Sequence, residues 1–472
     1  MSNQPSWGIV GLGVMGTSLG RNLADKGVAL AIYNREVEGT EEAVALMHTK
    51  HYSELKNALP FDELAPFINT LKSPRKLLLM LPAGSPTDAV ITHLTPLLAK
   101  GDVIIEGGNS HFKDTEERAQ QLAAAGIHFL GMGVSGGEEG ALKGPSLMVG
   151  GTEEAYALVK KDLHSIAGKN SKGLSCCNYL GSGGAGHFVK MVHNGIEYAE
   201  RQLLAEVISL ALSDPSNNIT TIQKMLQDWQ TTASESYLLG ITARLLGHQE
   251  AGRPFIDFIK DEAYNKGSGA WATAAGAELG SANSLMASAL HARFTSSNKK
   301  QRSLLSKTFK VKPTLTSLSL SALKVSYDLS RIVNHHQGFE MICKAALKNN
   351  WKIEMATIAS LWSEGCIIKS RLMDRLMDVF KTNETLLDTA TFMEYFSTGN
   401  QEWEATLVSA IQHRIPFSCH SAAWDYFLAI TQEDSAANII QAQRDFFGAH
   451  GFERKDKDSG KKYHGPWAAK TK

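Results

Sequence analysis

The sequence predicts an α/β N-terminal domain built on a doubly wound parallel sheet, followed by a large all-α domain and a C-terminal tail. Two observations predict this fold class. Up to about Gly150, short apolar segments alternate with helix-like stretches, a pattern typical of a parallel sheet with helices on both faces. From about Gly186 onward, long helical periodicity dominates and β-branched runs are few, which indicates several long packed helices.

The predicted elements follow from these patterns in chain order. Buried strands are predicted at Trp7–Val10, Ala29–Tyr33, Lys76–Leu81, Asp102–Ile105 and Ile127–Leu130, and helices at Pro86–Ala99, Thr115–Ala125, His187–Leu212, Ser317–Lys348 and Thr357–Val379. Beyond about Arg454 the composition turns to Lys, Gly and Pro, as expected of a tail that packs poorly on its own. We therefore predict an α/β domain at residues 1–180, an all-α domain at 181–440 and a tail at 441–472.

The composition argues against two classes of partner. Lys plus Arg and Asp plus Glu each total 48, so no net field favours nucleic acid or an anionic membrane. No run of about 20 apolar residues predicts a membrane span, and the N-terminal residues carry no targeting signal. The five cysteines have no metal-ligand spacing, and their odd number argues against a disulfide framework. We expect a cytoplasmic protein that binds neither nucleic acid nor membrane.

A glycine loop follows the first predicted strand. Gly11, Gly13 and Gly16 form the pattern G-x-G-x-x-G between Trp7–Val10 and the helix-like Thr17–Lys26. The first glycine permits a tight turn, the second lets backbone approach a pyrophosphate, and the third lets helix and strand pack closely. The N-terminus of the helix then offers free N–H groups to the phosphates. The loop predicts a Rossmann-type dinucleotide-binding domain; a glycine turn without a ligand is the alternative.

The residues after the second predicted strand bear on the choice of dinucleotide. An NAD site typically places Asp or Glu there for the ribose 2′-hydroxyl, whereas an NADP site offers Arg. Asn34 and Arg35 favour NADP, but the Glu36 carboxylate would repel a 2′-phosphate. We predict NADP, with NAD as the alternative because of Glu36.

One helical stripe gathers four polar side chains. Lys190, His193, Asn194 and Glu197 are spaced i, i+3, i+4 and i+7, which places them within one arc of a helix. Oxidation of a secondary alcohol needs a base, and a lysine can serve when desolvation lowers its pKa. The carboxylate can return a proton later in the cycle. A solvated polar face is the alternative explanation of such a stripe.

Further polar groups lie in loops that are predicted to follow strands or to hold an anion. Asn109 in EGGNSHFKDT and Ser135 in GVSGGEEGALKGPSLMVGG offer neutral hydrogen bonds on the ligand side of the sheet. Lys266 and Ser268 in NKGSGAW suit a phosphate group. Three other cationic side chains are candidates for the same anion site: Arg293, Arg444 and His450.

Taken together, these segments resemble the 6-phosphogluconate dehydrogenase family over essentially the whole chain. The matching segments are GLGVMG, YNR, IIEGGNS, GVSGGEEGALKGPSLM, GAGHFVKMVHNGIEY, NKGSGAW and QRDFFGAH. The resemblance implies oxidative decarboxylation of 6-phospho-D-gluconate to D-ribulose 5-phosphate and CO2 with reduction of NADP, a step of the oxidative pentose phosphate pathway. It implies Lys190 as general base and Glu197 as the general acid that protonates C1 of the enediol, with no metal.

The resemblance also implies the binding residues and a partner. Positions matching the cofactor site are Gly11, Leu12, Gly13, Val14, Met15, Gly16, Asn34, Arg35, Glu36, Leu81, Pro82, Ala83 and Asn109. Positions matching the sugar-acid site are Asn109, Ser135, Gly136, Gly137, His193 and Asn194, and those matching the phosphate end are Tyr198, Lys266, Ser268, Arg293, Arg444 and His450. In the family the last two come from the neighbouring subunit, which implies a homodimer whose active site is completed by the partner's tail.

The sequence departs from the family pattern at four positions. Glu36 stands where Thr or Ser follows Asn-Arg, and Pro82 stands where lysine is common, so NADP selectivity is left open. Tyr264 replaces glycine or alanine, and Ser268 replaces threonine but keeps the hydroxyl.

Two other functions compete with the one that the resemblance implies. A non-decarboxylating β-hydroxyacid dehydrogenase shares the glycine loop and the lysine, but its function does not require the Lys266 and Arg444 segments. An inactive cofactor-binding protein is disfavoured because Lys190 and Glu197 are both present.

Overall fold

The N-terminal strands form one eight-stranded sheet in a computed structural model that describes residues 4–265, 267–310, 318–382 and 385–467. The strands are β1 (Trp7–Val10), β2 (Leu30–Tyr33), β3 (Leu59–Phe61), β4 (Lys76–Leu79), β5 (Val103–Glu106), β6 (His128–Ser135), β7 (Ser146–Gly151) and β8 (Cys177–Gly181). Their order in the sheet is β3-β2-β1-β4-β5-β6-β7-β8. All five predicted strands are present, whereas β3, β7 and β8 were not predicted.

The sheet is parallel except at one pair of strands. β6 and β7 pair antiparallel, with Leu130 opposite Gly151 and Ser135 opposite Ser146. The five predicted strands are parallel to one another, and the antiparallel pair involves β7, which was not predicted. The connection at residues 136–145 is too short for a parallel crossover, which needs about a dozen residues or more.

Helices cover both faces of this sheet and bury it in two cores. These helices are α1 (Val14–Asp25), α2 (Val44–His51), α3 (Leu64–Thr70), α4 (Ser85–Leu94), α5 (Phe112–Ala124), α6 (Gly137–Lys143) and α7 (Glu153–Ile166). Because successive side chains of a strand point to opposite faces, Ile9 and Ile32 enter one core while Val10 and Ala31 enter the other. Burial on both faces explains the nearly continuous apolar strands of the sequence.

From α8 onward the chain is mostly helical, as predicted. The helices are α8 (Ala185–Ser213), α9 (Ile219–Gln230), α10 (Tyr237–Leu246), α11 (Ser268–Leu279), α12 (Ser284–Ser297), α13 (Lys299–Thr308), α14 (Leu320–Asn349), α15 (Met355–Trp362), α16 (Arg371–Val379), α17 (Ala390–Gln412) and α18 (Ser418–Ile430), with a short pair of strands, β9 (Gln249–Glu250) and β10 (Arg253–Pro254). The α/β and then all-α fold class is confirmed. None of the helices in the described ranges combines the length and apolarity needed to cross a bilayer.

One predicted helix is divided into two in the structure. The single helix predicted at Thr357–Val379 is wrong, because α15 ends at Trp362 and α16 starts at Arg371. Gly365 between them has φ +64°, a left-handed conformation that a right-handed helix does not continue through. The helix predicted at Ser317–Lys348 corresponds to α14, and its first predicted residue lies outside the described residues.

Helix α8 packs directly on the backbone of the sheet because glycines line the contact. A Cβ atom on Gly186 would lie 2.3 Å from the Met148 carbonyl oxygen and 2.5 Å from that of Gly131. A Cβ atom on Gly133 would lie 2.4 Å from the Cβ of Lys190. Only glycine fits at these positions without movement, so α8 and β6 touch without intervening side chains.

The chain divides into two compact units at Ala422 and Ala423. The second unit contains α19 (Ala437–Gly448) and an antiparallel bridge between Phe452 and Tyr463. The domain boundaries near residues 180 and 440 stay a prediction.

One buried carboxylate organises this second unit. Asp445 accepts hydrogen bonds from the backbone N–H groups of Gly451 (3.0 Å) and Gly465 (2.9 Å) and from Nε1 of Trp467 (2.8 Å). Its other contact is the ring Nδ1 of His464 at 2.6 Å. The end of α19, the turn after it and the last described residues are thereby tied to one side chain.

Candidate active site

The loops that carry the cofactor candidates share one edge of the sheet. The glycine loop follows β1, Asn34 to Glu36 follow β2, Leu81 to Ala83 follow β4, and Asn109 follows β5. Since these four strands are parallel, the loops after them meet at the carboxyl edge, where doubly wound sheets bind their ligands.

The glycine loop has the geometry that a pyrophosphate requires. Gly11 has φ +90°, and a Cβ on Gly16 would lie 2.0 Å from the Gly11 carbonyl oxygen, so both positions demand glycine. A Cβ on Gly13 would meet nothing within 4 Å, which leaves open space above the turn. No side chain caps α1 at Gly13, so the first N–H groups of the helix, from Val14 onward, are available to an anion.

The end of β2 is tied to the glycine loop and to an acidic residue. The Leu12 N–H donates to Asn34 Oδ1 (3.0 Å), and Asn34 Nδ2 donates to Glu41 Oε2 (3.0 Å). The Arg35 guanidinium also pairs with Glu41, at 3.1 Å between Nη2 and Oε1. Glu36 accepts a hydrogen bond from the Ala43 N–H (2.7 Å) at the start of α2.

The loop after β5 is held by a buried ion pair. Arg118 is 4% exposed and donates from Nη1 to both carboxylate oxygens of Glu106, at 3.0 and 3.1 Å. Ser110 also donates to Glu106. A Cβ on Gly108 would lie 2.7 Å from the Leu81 carbonyl oxygen, so this loop packs on the loop after β4. Asn109 is the exposed residue of the held segment.

The predicted polar stripe of α8 is buried. Lys190, His193, Asn194 and Glu197 are 6%, 0%, 9% and 8% exposed, which excludes a solvated helix face. Burial lowers the pKa of the Lys190 ammonium, while the nearby Glu197 carboxylate partly opposes the shift. A lowered pKa makes the neutral amine available at lower pH than in an ordinary lysine.

His193 links the stripe to the end of β6. One ring nitrogen, Nδ1, lies 3.3 Å from Lys190 Nζ and 3.3 Å from Asn194 Oδ1, and the other, Nε2, lies 3.1 Å from Ser135 Oγ. Burial and the Lys190 charge hold the pKa of His193 well below its usual value of 6.5. The imidazole is therefore neutral at neutral pH.

The backbone after Ser135 turns sharply. Gly136 and Gly137 both have positive φ, at +120° and +62°. A Cβ on Gly136 would lie 2.8 Å from the Gly365 carbonyl oxygen, so the segment between α15 and α16 closes on this turn.

Two residues at this place were not predicted from the sequence. Trp362 packs edge-on against the His193 ring, with centroids 5.7 Å apart, and Arg201 forms an ion pair with Glu197. Arg201 lies four residues after Glu197, so helical spacing alone could have indicated the pair. Trp362 comes from a distant helix, and no local signal pointed to it.

A second group of predicted residues meets at the start of α11. The Arg293 guanidinium lies 3.6 Å from the centre of the Tyr198 ring, and Tyr198 Oη lies 3.4 Å from Asn265 Oδ1. Ser268 is the first residue of α11, and a Cβ on the next residue, Gly269, would lie 2.5 Å from Tyr198. Lys266 lies outside the described residues.

The charges around Tyr198 connect this group with the stripe. Burial lowers the pKa of Arg293, and the neighbouring Arg201 guanidinium acts in the same direction, whereas Glu197 opposes it. Two guanidinium groups therefore lie near one carboxylate at the end of the stripe.

Arg444 and His450 belong to the second unit. Both line one cleft of about 630 Å³. Its other charged side chains are three basic ones, Arg454, Lys455 and Lys462, and two carboxylates, Glu453 and Asp456. The unit thus gathers the two predicted residues in one cleft in which basic side chains outnumber acidic ones. In the described part of the chain, no group of three or more His, Cys, Asp or Glu side chains is arranged to hold a metal ion.

The chain matches known proteins along its whole length. A model described as the NAD binding domain of 6-phosphogluconate dehydrogenase matches residues 6–181, and one described as its C-terminal domain matches residues 186–467. The chain is 38% identical to the 6-phosphogluconate dehydrogenase, decarboxylating, of Chlamydia pneumoniae, covering 98% of both chains. The protein of the same name from Treponema pallidum is also 38% identical, with 98% of this chain and 96% of that one covered.

A solved structure agrees with these sequence matches. Plasmodium falciparum 6-phosphogluconate dehydrogenase, described in its apo form, with its cofactor NADP+ and with its substrate 6-phosphogluconate, superposes with a TM-score of 0.92. The two chains are 31% identical, and 98% of this chain and 100% of the other are covered. Matched from end to end in sequence and in fold, this chain belongs to the 6-phosphogluconate dehydrogenase family.

Proposed function

We propose that this chain converts 6-phospho-D-gluconate to D-ribulose 5-phosphate and CO2 with reduction of NADP, as a cytoplasmic enzyme of the oxidative pentose phosphate pathway. The observation that carries the proposal is the buried stripe of α8. A lysine with a lowered pKa, a neutral histidine and a carboxylate lie together beside the carboxyl edge of a dinucleotide-binding sheet. The relatives named above bear this activity in their names.

Lys190 is the general base of the proposed oxidation. Its neutral amine takes the proton of the substrate 3-hydroxyl while hydride leaves C3. The bound nicotinamide supplies the hydride acceptor. Oxidation at C3 places a ketone β to the carboxylate, and such a β-keto acid loses CO2 readily. The Lys190 ammonium formed in the first step then lies ready to stabilise the enolate oxygen.

Glu197 is the general acid of the proposed last step. Protonation of C1 of the enediol requires a proton donor, and Glu197 lies on the same face of α8 as Lys190, seven residues or about two turns away. His193 and Asn194 lie between them and are assigned to hold the substrate. His193 is itself positioned by Ser135 and Trp362.

The substrate is proposed to lie between two sets of residues. The sugar-acid end is assigned to Asn109, Ser135, Gly136, Gly137, His193 and Asn194, and the phosphate end to Tyr198, Lys266, Ser268, Arg293, Arg444 and His450. The guanidinium over Tyr198 and the uncapped start of α11 support the phosphate assignment. Arg444 and His450 are proposed to come from the partner subunit of a homodimer, which makes the tail part of the site.

NADP is the proposed cofactor, and the dinucleotide fits the residues present. The open space over Gly13 and the uncapped N-terminus of α1 would hold the pyrophosphate. Asn34, Arg35 and Glu36 would lie at the adenosine ribose. The loop after β4 would contribute Leu81, Pro82 and Ala83, and Asn109 would lie towards the nicotinamide.

Measurement of CO2 tests the proposal against its nearest rival. With 6-phosphogluconate and NADP we expect one CO2 per reduced nicotinamide. Oxidation without stoichiometric CO2 would instead establish a non-decarboxylating β-hydroxyacid dehydrogenase. No turnover with either dinucleotide would point to an inactive cofactor-binding protein.

A substitution tests the assigned base. Lys190→Met should lower kcat by several orders of magnitude while cofactor still binds, because the base is lost but the glycine loop is not touched. Lys224→Met, at an exposed lysine of α9 that pairs with Asp228, is the matched control and should retain activity. Near-normal turnover of Lys190→Met would refute the assignment.

A further inference from the structure

The loop between β2 and α2 is unusually acidic for the place where a 2′-phosphate would bind. Arg35 is followed by four carboxylates within seven residues, Glu36, Glu38, Glu41 and Glu42. Because the ribose of a bound dinucleotide lies at the end of β2, the charge balance of this loop acts directly on the 2′ position.

Glu41 is folded back onto the end of β2 by its own backbone. Val37 and Glu41 form an antiparallel bridge, with hydrogen bonds of 2.9 and 2.8 Å between their backbone groups. This tight turn brings a carboxylate from seven residues downstream to Asn34, the residue that follows β2. An NAD site typically has its acidic residue at this position in the fold.

Glu41 also forms an ion pair with Arg35, the one arginine of the loop. Arg35 contacts it through two atoms, Nη2 at 3.1 Å from Oε1 and Nε at 3.4 Å from Oε2. The hydrogen bonds from Arg35 and Asn34 lower the pKa of Glu41, so the carboxylate is ionised at neutral pH. A 2′-phosphate would have to draw Arg35 away from this partner.

The described lining of the cavity beside this loop also lacks the cations that a 2′-phosphate needs. It has a volume of about 220 Å³ and is lined by Asn34, by residues at the start of α2 and by the end of β3. Among the described residues that line it, two are carboxylates, Glu36 and Asp62, and none is a cation. Such a lining disfavours a phosphate and tolerates a neutral ribose.

We infer that Glu41 sets the dinucleotide preference of this chain, weakening selection for NADP so that NAD is accepted as well. Glu41 acts in two ways: it holds Arg35, and it offers a carboxylate oxygen to a ribose 2′-hydroxyl. The inference rests on the proposed function for its site but not on the decarboxylation chemistry. Since the Arg35 side chain is largely exposed and that of Glu41 is partly exposed, the ion pair contributes little to folding, and its effect is on ligand choice.

Binding of two adenosine nucleotides tests the inference without turnover. Adenosine 2′,5′-bisphosphate and 5′-AMP differ only in the 2′-phosphate, and calorimetry on the full-length protein gives both Kd values. Glu41→Gln should raise the ratio Kd(5′-AMP)/Kd(2′,5′-bisphosphate) by about tenfold, equivalent to about 1.4 kcal/mol. The same change should appear in the ratio of kcat/KM for NADP to that for NAD.

Glu42→Gln is the matched control, because it removes the same charge one residue away. Glu42 accepts a hydrogen bond from the Gly39 N–H and has no contact with Arg35 among those described. Its nucleotide ratio should stay within about twofold of the parent protein, since exposed charges are screened. Equal shifts in the two variants would overturn the inference, because the loop charge as a whole would then act rather than Glu41. No shift in Glu41→Gln would overturn it as well.

A double-mutant cycle separates the two actions of Glu41. With Arg35→Met in the background, the part of the Glu41→Gln effect that acts through Arg35 should vanish. Failure of the proposed function is distinguishable, because a protein that does not turn over 6-phosphogluconate still reports its nucleotide ratio in the binding experiment.

Discussion

Arg201 lies one helical turn after Glu197 on α8, and its guanidinium forms an ion pair with the Glu197 carboxylate. Arg201 is about half exposed, at 49% of its side-chain surface, whereas Glu197 is buried. The proposed general acid is therefore held by a cation that reaches it from the solvent side.

Removal of Arg201 should lower turnover, because the Glu197 side chain loses the ion pair that holds it. In Arg201→Met we expect kcat to fall about tenfold, with KM changed much less, since a displaced catalytic group reacts more slowly. Arg201→Lys keeps a cation four residues from Glu197 and should keep most of the activity. Steady-state kinetics on both variants check this, and an unchanged kcat for Arg201→Met would contradict it.

The buried lysine should define the acidic limb of the rate profile. Because burial lowers the pKa of Lys190, the neutral amine persists to lower pH, and kcat/KM should fall only as the pH drops through that lowered value. Lys190→Arg should be inactive at every pH, since a guanidinium is not deprotonated in proteins. Activity of this variant that recovers at high pH would argue against a base at this position.

The same lysine should make stability depend on pH. Its folded pKa lies below its ordinary value of 10.5, so between the two values the unfolded chain holds a proton that the folded chain has released. The free energy of unfolding therefore rises with pH across that window. Lys190→Met lacks this dependence, so the difference in unfolding free energy between the variant and the parent should shift in favour of the parent as the pH rises towards 10.5.

Denaturant unfolding at several pH values, at one fixed protein concentration, checks the stability prediction. A constant difference between Lys190→Met and the parent from pH 7 to 10 would show that Lys190 titrates alike in the folded and unfolded states.

Glu36→Thr should raise the preference for NADP, because it removes a carboxylate from the cavity at the end of β2. It also removes the acceptor of the Ala43 N–H at the start of α2, so a loss of about 0.5–2 kcal/mol in unfolding free energy should accompany the gain. The NADP-to-NAD ratio of kcat/KM and a denaturation curve measure the two effects. An unchanged cofactor ratio would count against a role for Glu36 in selection.

Asp445→Asn should weaken substrate binding more than turnover. The substitution replaces one accepting oxygen of Asp445 by an NH2 group, which cannot accept hydrogen bonds from the donors around it. The turn that carries His450 and the end of α19 that carries Arg444 should therefore become looser. We expect KM for 6-phosphogluconate to rise about tenfold with kcat changed much less. Asp458→Asn, at an exposed pair with Lys461, is the control. A fall in kcat as large as the rise in KM would show that Asp445 does not act through substrate binding.

Local periodicity explains what could be predicted of the fold. A short apolar run within one segment predicts β1. The i, i+3, i+4 and i+7 spacing within one segment likewise predicts the polar stripe of α8. β3 includes Pro60 and β7 ends in two glycines, which weakens both as strand signals. The break between α15 and α16 depends on the backbone at Gly365, which apolar periodicity does not report.

The site was predictable where one segment holds the chemistry and not where distant segments meet. The segment containing Lys190 and Glu197 shows its polar residues directly, although their catalytic roles stay predictions. Trp362 reaches His193 only through the packing of α15 near the sheet. The position of Glu41 beside β2 was not predicted, because a tight turn brings it there and helical or strand periodicity does not report such a turn.

The glycine contact between α8 and the sheet also limits how far the backbone of Lys190 can shift against the strands. Where a layer of side chains separates a helix from a sheet, changes of rotamer can absorb small displacements. At Gly131, Gly133 and Gly186 no such layer is present, so this part of α8 moves together with β6. Reaction geometry is sensitive to displacements of about 1 Å. We therefore expect any opening of the molecule for its ligands to take place away from this contact.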